Sequence, residues 1–515
     1  MDSNKDNNGD GKDNKIIREG KARINCQKQV FYNVVQEFNR DLSVLAVHTY
    51  LKHQLWNYSL SVPKNYVKDR VSILDALSAT GLRSIRYSLE CKQCSLPIDI
   101  IANDISEDAI DLIESNIQLN DVYNVIVTNE DASMLMHKKK ALNERITIID
   151  LDPYGSPTQF LDSAIQNIVD GGLLMVTSTD MAVLCGNHGN ACFAKYGSYP
   201  LRAKFCHEMA LRIICASVNS HAARYGRHAI PLLSLSIDFY ARIFFRVFTS
   251  KKEAQQSMKK MSYIYLCKGC ESFHLQPLCE MKDGNEKNLI PATVECDKIC
   301  SICGHTYRIG GPIWSSSIHD KDFVHQLQNE LETLQNSGDN QFGTYRRIEG
   351  MLQLVSEELD DCPLYYHLDR LCSIVCCPMP SMKTFRSILI NGGYQFSLSH
   401  AFKNTMKTNA PNEFIWAMIK HVAKKSESSH KSKRIPSHIQ NILDKNFPYT
   451  INDTLVQEEP LSKSKNLLRY QLNPEQYWGP KSRPGKMVKN DTKRTNIDDD
   501  DDNDEICLNK SMKTV

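Results

Sequence analysis

Residues 150–155 read Asp-Leu-Asp-Pro-Tyr-Gly, and their types suit the holding of a planar amine for attack. The exocyclic amine of a nucleobase is a poor nucleophile because its lone pair is delocalised into the ring. Two acceptors on its hydrogens would localise that pair. Asp152 offers a carboxylate and Pro153 a backbone carbonyl whose direction the proline ring fixes. Tyr154 offers a flat ring on which a flipped-out base can stack. The carboxylate can afterwards take the released proton. Alone, an Asp-Pro pair after an apolar run also reads as a strand-to-loop turn.

The segment Asp152-Pro153-Tyr154-Gly155 resembles the (Asp/Asn)-Pro-Pro-(Tyr/Phe) motif of amino-group methyltransferases. Three upstream segments strengthen that reading, because each also ends an apolar run on an acidic residue. Val71–Leu74 leads into Asp75 and the turn Ala76-Leu77-Ser78-Ala79-Thr80-Gly81, whose small residues let backbone approach a ligand at a sheet edge. Ile98–Ala102 leads into Asn103-Asp104, where a carboxylate can accept from both ribose hydroxyls, cap the next helix, or do both. Val125–Thr128 leads into Asn129-Glu130-Asp131-Ala132, where a carboxylate can accept from an adenine amino group. The Cys-rich insertion Cys91 to Pro97 accounts for a spacing longer than the usual roughly 20 residues between turn and ribose carboxylate. Four acidic strand ends in register predict a nucleoside-cofactor site at the switch point of a sheet.

The elements that must position these groups follow the same alternation. Ile146–Ile149 and Leu173–Thr177 are further strands, and Glu107–Leu119 and Thr158–Val169 are helices. Strands alternating with helices predict an α/β fold: a parallel sheet with helices on both faces.

Two CxxC pairs, Cys267-Lys268-Gly269-Cys270 and Cys300-Ser301-Ile302-Cys303, can give four thiolates to one structural Zn2+. The gap between them exceeds the roughly 15–20 residues of compact ribbons. Cys279, Cys296, His274 and His305 are therefore alternative ligands, and reduced, partly buried thiols are the plain alternative. Cys91-Lys92-Gln93-Cys94 has no second pair and is read as structural. So is Cys185, since direct transfer to nitrogen needs no covalent intermediate.

Across its 515 residues the chain is 41% hydrophobic and 24% charged, with net charge +2, so nucleic-acid contact must come from local patches. Eighteen cysteines without a secretory signal point to reduced thiols. Ile230 to Phe248 is broken by charged and hydroxyl residues, so no membrane span is expected. The expected organisation is a disordered start at 1–15, a cofactor domain at 16–250 and a zinc-binding cysteine region at 251–312. A mainly helical RNA-binding domain follows at 313–425, then a basic linker, a tRNA-contact segment and an acidic tail at 426–515. Helical patterns near Tyr345–Leu359, Tyr365–Val375 and Ser381–Ile390, then Gly392-Gly393 and a short strand Tyr394–Ser397, suggest a helix-turn-helix or winged helix. Lys383, Arg386, Lys403 and Lys407 are candidate phosphate contacts. Lys463, Lys465, Arg469, Tyr470, Tyr477, Trp478, Lys481 and Arg483 interleave charge with aromatics, which suits contact with a single strand or tRNA and is equally compatible with docking onto the body of the protein. Lys424 to Arg434 reads as a nuclear import signal or a flexible basic linker, with cytoplasm or mitochondrion as the alternative compartments.

A longer resemblance runs through the chain. Its segments are Glu19–Ala22, Val30–Asn33, Glu37–Ser43, Asp75–Arg86, Asn103–Ser106, Ile149–Pro157, Thr177–Ala182, His207–Arg212, Pro231–Val247, Gly311–Trp314, Asn473-Pro474 and Trp478-Gly479-Pro480. In this order, over roughly residues 16 to 485, they resemble the tRNA (guanine-26, N2) dimethyltransferases. The resemblance implies a class I Rossmann-like methyltransferase domain, S-adenosylmethionine as methyl donor and tRNA as substrate; a monomer is expected. It implies that Arg40 and Arg83 bind the methionine carboxylate, Asp104 the ribose, and Asp131 with Ala132 the adenine, beside Asp75. It places Phe31 near the target base with Asp152, Pro153 and Tyr154. Val34 stands where that family usually has proline, and Cys507 alone remains of the C-terminal finger carried by some animal members.

Overall fold

Apolar runs become central strands where helices can cover both faces of the sheet. The computed structural model describes residues 15–26, 32–54, 70–91, 96–282, 288–338, 342–426 and 436–470, all within one compact unit. A hairpin of β1 (Lys15–Glu19) and β2 (Ala22–Cys26) precedes helix α1 (Glu37–Thr49). Then alternate β3 (Val71–Asp75), α2 (Leu82–Glu90), β4 (Ile98–Asn103), α3 (Glu107–Asn120), β5 (Val125–Thr128) and α4 (Ala132–Ala141). The series continues with β6 (Ile146–Leu151), α5 (Thr158–Asn167), β7 (Ile168–Ser178), α6 (Cys206–Ala223), β8 (Arg227–Ile237) and β9 (Tyr240–Thr249).

The seven strands lie in the order β5-β4-β3-β6-β7-β9-β8. The first five pair in parallel, and β9 runs antiparallel to both its neighbours. Strand order reverses between β3 and β6, so their carboxyl ends bound the crevice where such sheets bind ligands. The five strands predicted before residue 178 are all present in this sheet, and the two largest differences are at the ends of β6 and β7. β6 continues through Asp150 and Leu151, because Asp150 stays in register between Asp75 and Met175. β7 starts at Ile168 instead of Leu173: Ile168 pairs with Ile146, and a register shift absorbs the glycines that follow.

Helices α5 and α6 cover one face, setting Leu161, Ile165, Ile213 and Ile214 against Ile149 and Leu174. The other face carries α1 together with α7 (Lys321–Asn336) and α8 (Tyr345–Glu357). Phe323, Leu327, Ile348 and Leu352 share a core there with Ile73, Ile148 and Leu235. The sheet is thus covered partly by helices that lie beyond residue 313 in the chain.

A third core joins the cysteine pairs to α9 (Leu368–Ile374), α10 (Met382–Asn391) and α11 (Asn412–Lys425). The expected strand Tyr394–Ser397 reduces to one bridge, Ser397 with Lys407; Tyr394 instead packs on Phe414, with ring centroids 4.5 Å apart. Lys407 is not a phosphate contact. It is 2% exposed, and its ammonium is held by Glu208 at 3.0 Å and Glu358 at 2.8 Å. Among the described residues no helix is long and apolar enough to cross a membrane. Residues 1–14, Phe31, Lys431–Arg434, Tyr477, Trp478, Lys481, Arg483 and the acidic run lie outside the described residues, while Lys15 already opens β1.

Candidate active site

The turn after β3 requires backbone that most residues avoid. Ala79 (φ 50°) and Gly81 (φ 72°) are left-handed, and a Cβ on Gly81 would come within 3.1 Å of Ile113 on α3. This geometry turns the Ala79 N–H towards Asp104 Oδ2 at 2.9 Å. The other oxygen of Asp104 accepts from the Ser106 N–H at 3.0 Å. Asp104 therefore serves the following helix as well as the turn, and each half-buried oxygen accepts one of these bonds. A carboxylate oxygen has room for two.

Asn103, fully buried, stitches three strand ends together. Its Nδ2 donates to the carbonyls of Ala76 (3.1 Å) and Glu130 (3.0 Å), while its Oδ1 accepts from Thr128 Oγ1 (2.8 Å). That places Asp131 at the start of α4, where it caps the Met134 N–H at 3.0 Å from an exposed position; Ala132 behind it is buried.

A charged network runs beneath the crevice. Arg83 pairs with Asp152 and reaches Asp150 Oδ2 at 3.3 Å and Ser43 Oγ at 2.9 Å. Asp150 also accepts from Arg242 (2.8 Å) and Tyr87 (2.7 Å). Burial alone would raise the Asp150 carboxyl; Arg242 and Arg83 overcome it and hold the group below the usual range. Asp75 is buried beside them and bonded to Ser84 Oγ at 2.7 Å. Burial pushes its carboxyl up to about 6 against the pull of Arg83. Arg242→Met should destabilise the fold by about 3–5 kcal/mol in urea titrations, because it removes a partner from a fully buried carboxylate. A loss below about 1 kcal/mol would show that Arg83 and Tyr87 suffice.

Asp152 itself is partly open to solvent, and Asn39 Nδ2 lies 3.4 Å from its Oδ2. Pro153 is buried and Tyr154 is 44% exposed. The loop is locked to the end of β7: Gly155 N–H donates to Thr179 Oγ1 (2.7 Å), and Thr179 N–H donates to the Gly155 carbonyl (2.9 Å).

Asp75, Arg83 and Asp152 are thus joined in one network, and Asp104 and Asp131 are held beside it by the β3 turn and Asn103. Arg40 belongs to a separate cluster: its guanidinium forks onto Glu19 (2.6 Å from Nε), which Arg86 and Tyr32 also contact. Burial would raise the Glu19 carboxyl, but Arg40 and Arg86 hold it below the ordinary value. Sequence reasoning gave no role to Asn39, Ser43, Asn103, Thr179 or Arg242. All five fall inside segments of the family resemblance, and Asn103 also directly precedes Asp104, which is the signal that marks them.

The four cysteines converge. Strand β10 (Met261–Cys267) ends on Cys267 and pairs with β11 (Phe273–Pro277). The Sγ atoms of Cys267, Cys270, Cys300 and Cys303 are buried and lie within 4.8 Å of one another. Cys267–Cys303 and Cys270–Cys300 stand at 3.3 and 3.6 Å. Zn–S bonds of about 2.3 Å in a tetrahedron put sulfurs about 3.8 Å apart. A Cβ on Gly269 would come 3.0 Å from Cys303 Sγ and 2.9 Å from the His305 ring, so the knuckle fits only glycine. The alternative ligands are not members of this four-sulfur group, although the His305 ring stands beside it. Cys279 starts a small hairpin (Cys279–Met281 with Leu289–Pro291), and Cys296 contacts the Asp297 carbonyl. His274 faces the Tyr307 hydroxyl, and His305 packs on His438.

The sequence profile of a family described as N2,N2-dimethylguanosine tRNA methyltransferase matches residues 11–420. A Drosophila melanogaster protein named tRNA (guanine(26)-N(2))-dimethyltransferase is 42% identical over 510 residues, which span 92% of this chain and 87% of the relative. The Homo sapiens protein of the same name is 38% identical, with 91% and 78% covered. A solved structure of Trm1 from Pyrococcus horikoshii in complex with S-adenosyl-L-methionine superposes with TM-score 0.63 at 28% identity, covering 78% of this chain and 98% of that one.

Proposed function

The chain belongs to the N2,N2-dimethylguanosine tRNA methyltransferase family, and from that premise we propose how its crevice works. The enzyme is an S-adenosylmethionine-dependent methyltransferase that dimethylates the N2 amino group of guanine 26 in tRNA. The observation that carries the reading is Asp152 at the carboxyl end of β6, partly open to solvent beside the exposed ring of Tyr154, at the point where strand order reverses.

The donor set fits the cofactor. Asp104 accepts one backbone N–H on each oxygen and keeps capacity for ribose hydroxyls, and the left-handed turn at Gly81 brings backbone to the same edge. Asp131 and Ala132 would face the adenine, with Asp75 bracing the turn from below. When bound, S-adenosylmethionine supplies an electrophilic methyl group. Arg83 is the arginine nearest that chemistry, and it orients Asp152; Arg40 acts through Glu19 and the β1–β2 hairpin. The target guanine leaves its stack and lies against Tyr154. Asp152 and the Pro153 carbonyl accept the two N–H bonds of its 2-amino group, which concentrates the lone pair on nitrogen. Asp152 would then take the proton released as the N–C bond forms and the methyl's bond to the donor sulfur breaks; with a second donor molecule, and the one remaining N–H as the proton lost, a second round would give the dimethyl product.

Zn2+ at Cys267, Cys270, Cys300 and Cys303 is the structural part of the proposal. The ion would be fully enclosed by thiolates, leaving no position for substrate. The chain acts as a monomer, with the basic run Lys424 to Arg434 as its nuclear import signal.

Asp104→Ala should weaken S-adenosylmethionine binding about 10- to 100-fold in calorimetry without tRNA, the value of a charge-assisted hydrogen bond pair. An unchanged Kd would leave Asp104 as a brace of the turn only. The reading as a whole is tested by nucleoside analysis of tRNA methylated in vitro: dimethylguanosine supports it, and methyl on adenine overturns the substrate.

A further inference from the structure

We propose that a basic cleft between α10 and residues 459–470 is the surface that holds the phosphate backbone of the RNA substrate away from the reacting base; this rests on the tRNA reading above. The chain carries 62 basic and 60 acidic residues, so its charge is nearly balanced. Within this one cleft, of about 330 Å³, Lys383, Arg386, Lys403, Lys463 and Arg469 converge, and among the described lining residues Glu459 is the one acidic side chain. The concentration is local, which is what a net charge of +2 demands of a nucleic-acid surface.

The cleft is a built feature of the fold. Lys383 and Arg386 are three residues apart on α10 and share a face. The later segment crosses that face and is fastened along its length. Arg386 donates to the Glu458 carbonyl, and Val456 N–H donates to Ser387 Oγ at 2.9 Å. Ser462 bonds Glu357 through both its N–H and its hydroxyl at 2.6 Å, and the Tyr470 hydroxyl donates to the Ser399 carbonyl at 2.8 Å. The floor is apolar, formed by Met382, Phe396 and Leu398. Lysine and arginine stems can lie over such a floor with their charged heads at the mouth.

The cations keep their attraction for an outside anion. Lys463 pairs with Glu459 at 2.5 Å, but the two side chains are 49% and 32% exposed, and a surface pair of this kind is worth little. Lys403 is exposed. Five cations strung along an open cleft, with none fully buried at a focus, match a chain of phosphates better than one small anion. Phosphate contacts set register without reading sequence. An enzyme that must present one interior guanine of a folded RNA needs such contacts at a distance from the base.

The test measures binding of an unmodified tRNA transcript to the full chain by filter retention over a salt series, beside methyl transfer by the wild type. The Lys403→Glu/Lys463→Glu double variant should bind about tenfold or more weakly near 0.1 M salt. Its slope of log K against log salt should be shallower by about 1–2, as expected when two phosphate contacts are lost. Lys251→Glu/Lys252→Glu, on an exposed helix elsewhere, should match the wild type. S-adenosylmethionine affinity reports that the fold is retained, and Lys403→Gln/Lys463→Gln replaces the charge reversal if that variant does not fold. Unchanged tRNA affinity and slope in either cleft variant would overturn the proposal. So would displacement of tRNA from the cleft by polyglutamate at equal charge concentration, which would mark an acidic-protein surface. Wild-type chain that binds tRNA through the cleft yet transfers no methyl would leave the cleft standing and remove the enzymatic reading.

Discussion

Asp152→Asn is expected to lower kcat for methyl transfer about a thousandfold while the Kd for S-adenosylmethionine, measured without tRNA, changes less than about threefold. The substitution keeps the shape of the side chain but removes the charge that accepts the amine N–H and later the proton. It also leaves Arg83, which is almost fully buried, with Asp150 as its remaining carboxylate. Asparagine can still accept one hydrogen bond from Arg83, so the variant separates chemistry from packing better than alanine does. Asp152→Ala is expected to abolish turnover as well, with an added stability loss of about 1–3 kcal/mol from the buried Arg83 Nη2 group left without its acceptor. Near-wild-type turnover in Asp152→Asn would mean that the Pro153 carbonyl and the approach geometry carry the reaction, and the role given to the carboxylate would be wrong.

Cys267→Ser carries the second large effect. Metal analysis of the purified wild type should return one zinc per chain, and the variant close to none. The four sulfurs are buried and sit in the same core as Leu371, Phe385 and Trp416, whose indole N–H donates to Ser272 Oγ at 2.8 Å beside Cys270. Loss of the ion would therefore be felt through α9 to α11 and not only in the knuckles. A fall in Tm of at least about 5 °C is expected, with part of the protein unfolding at lower temperature. Wild-type chain that holds no zinc after purification without chelators, with unaltered Tm in Cys267→Ser, would establish these residues as reduced, packed thiols.

Much of the crevice is legible in the sequence because the information is local. Each acidic residue, Asp75, Asp104, Asp131 or Asp152, follows an apolar β-branched run by one or a few positions, and a parallel sheet sends such ends to one edge. The CxxC pairs are legible for the same reason. What is not legible depends on partners far along the chain. Arg242 reads as an interruption of an apolar strand, yet it neutralises Asp150, 92 residues away. Asn103 reads as a neighbour of Asp104, and its task of tying three strand ends emerges only when those strands are adjacent. The amphipathic pattern of α7 and α8 shows that each has an apolar face, but not that the faces lie on the sheet together with α1. Lys407 shows the opposite failure. Its sequence surroundings are those of a surface lysine, and only the fold brings Glu208 and Glu358 around its ammonium. The basic cleft has the same origin, since α10 and residues 459–470 are separated by about 70 positions and meet through packing.

The most direct measurement of the central claim is transfer of labelled methyl from S-adenosylmethionine to an unmodified tRNA transcript, with a second transcript in which guanine 26 is replaced, followed by nucleoside analysis. The expected result is dimethylguanosine in the first transcript and no label in the second. Label retained in the second transcript, or found on adenine or on protein, would contradict the assignment of guanine 26 to the crevice at Asp152.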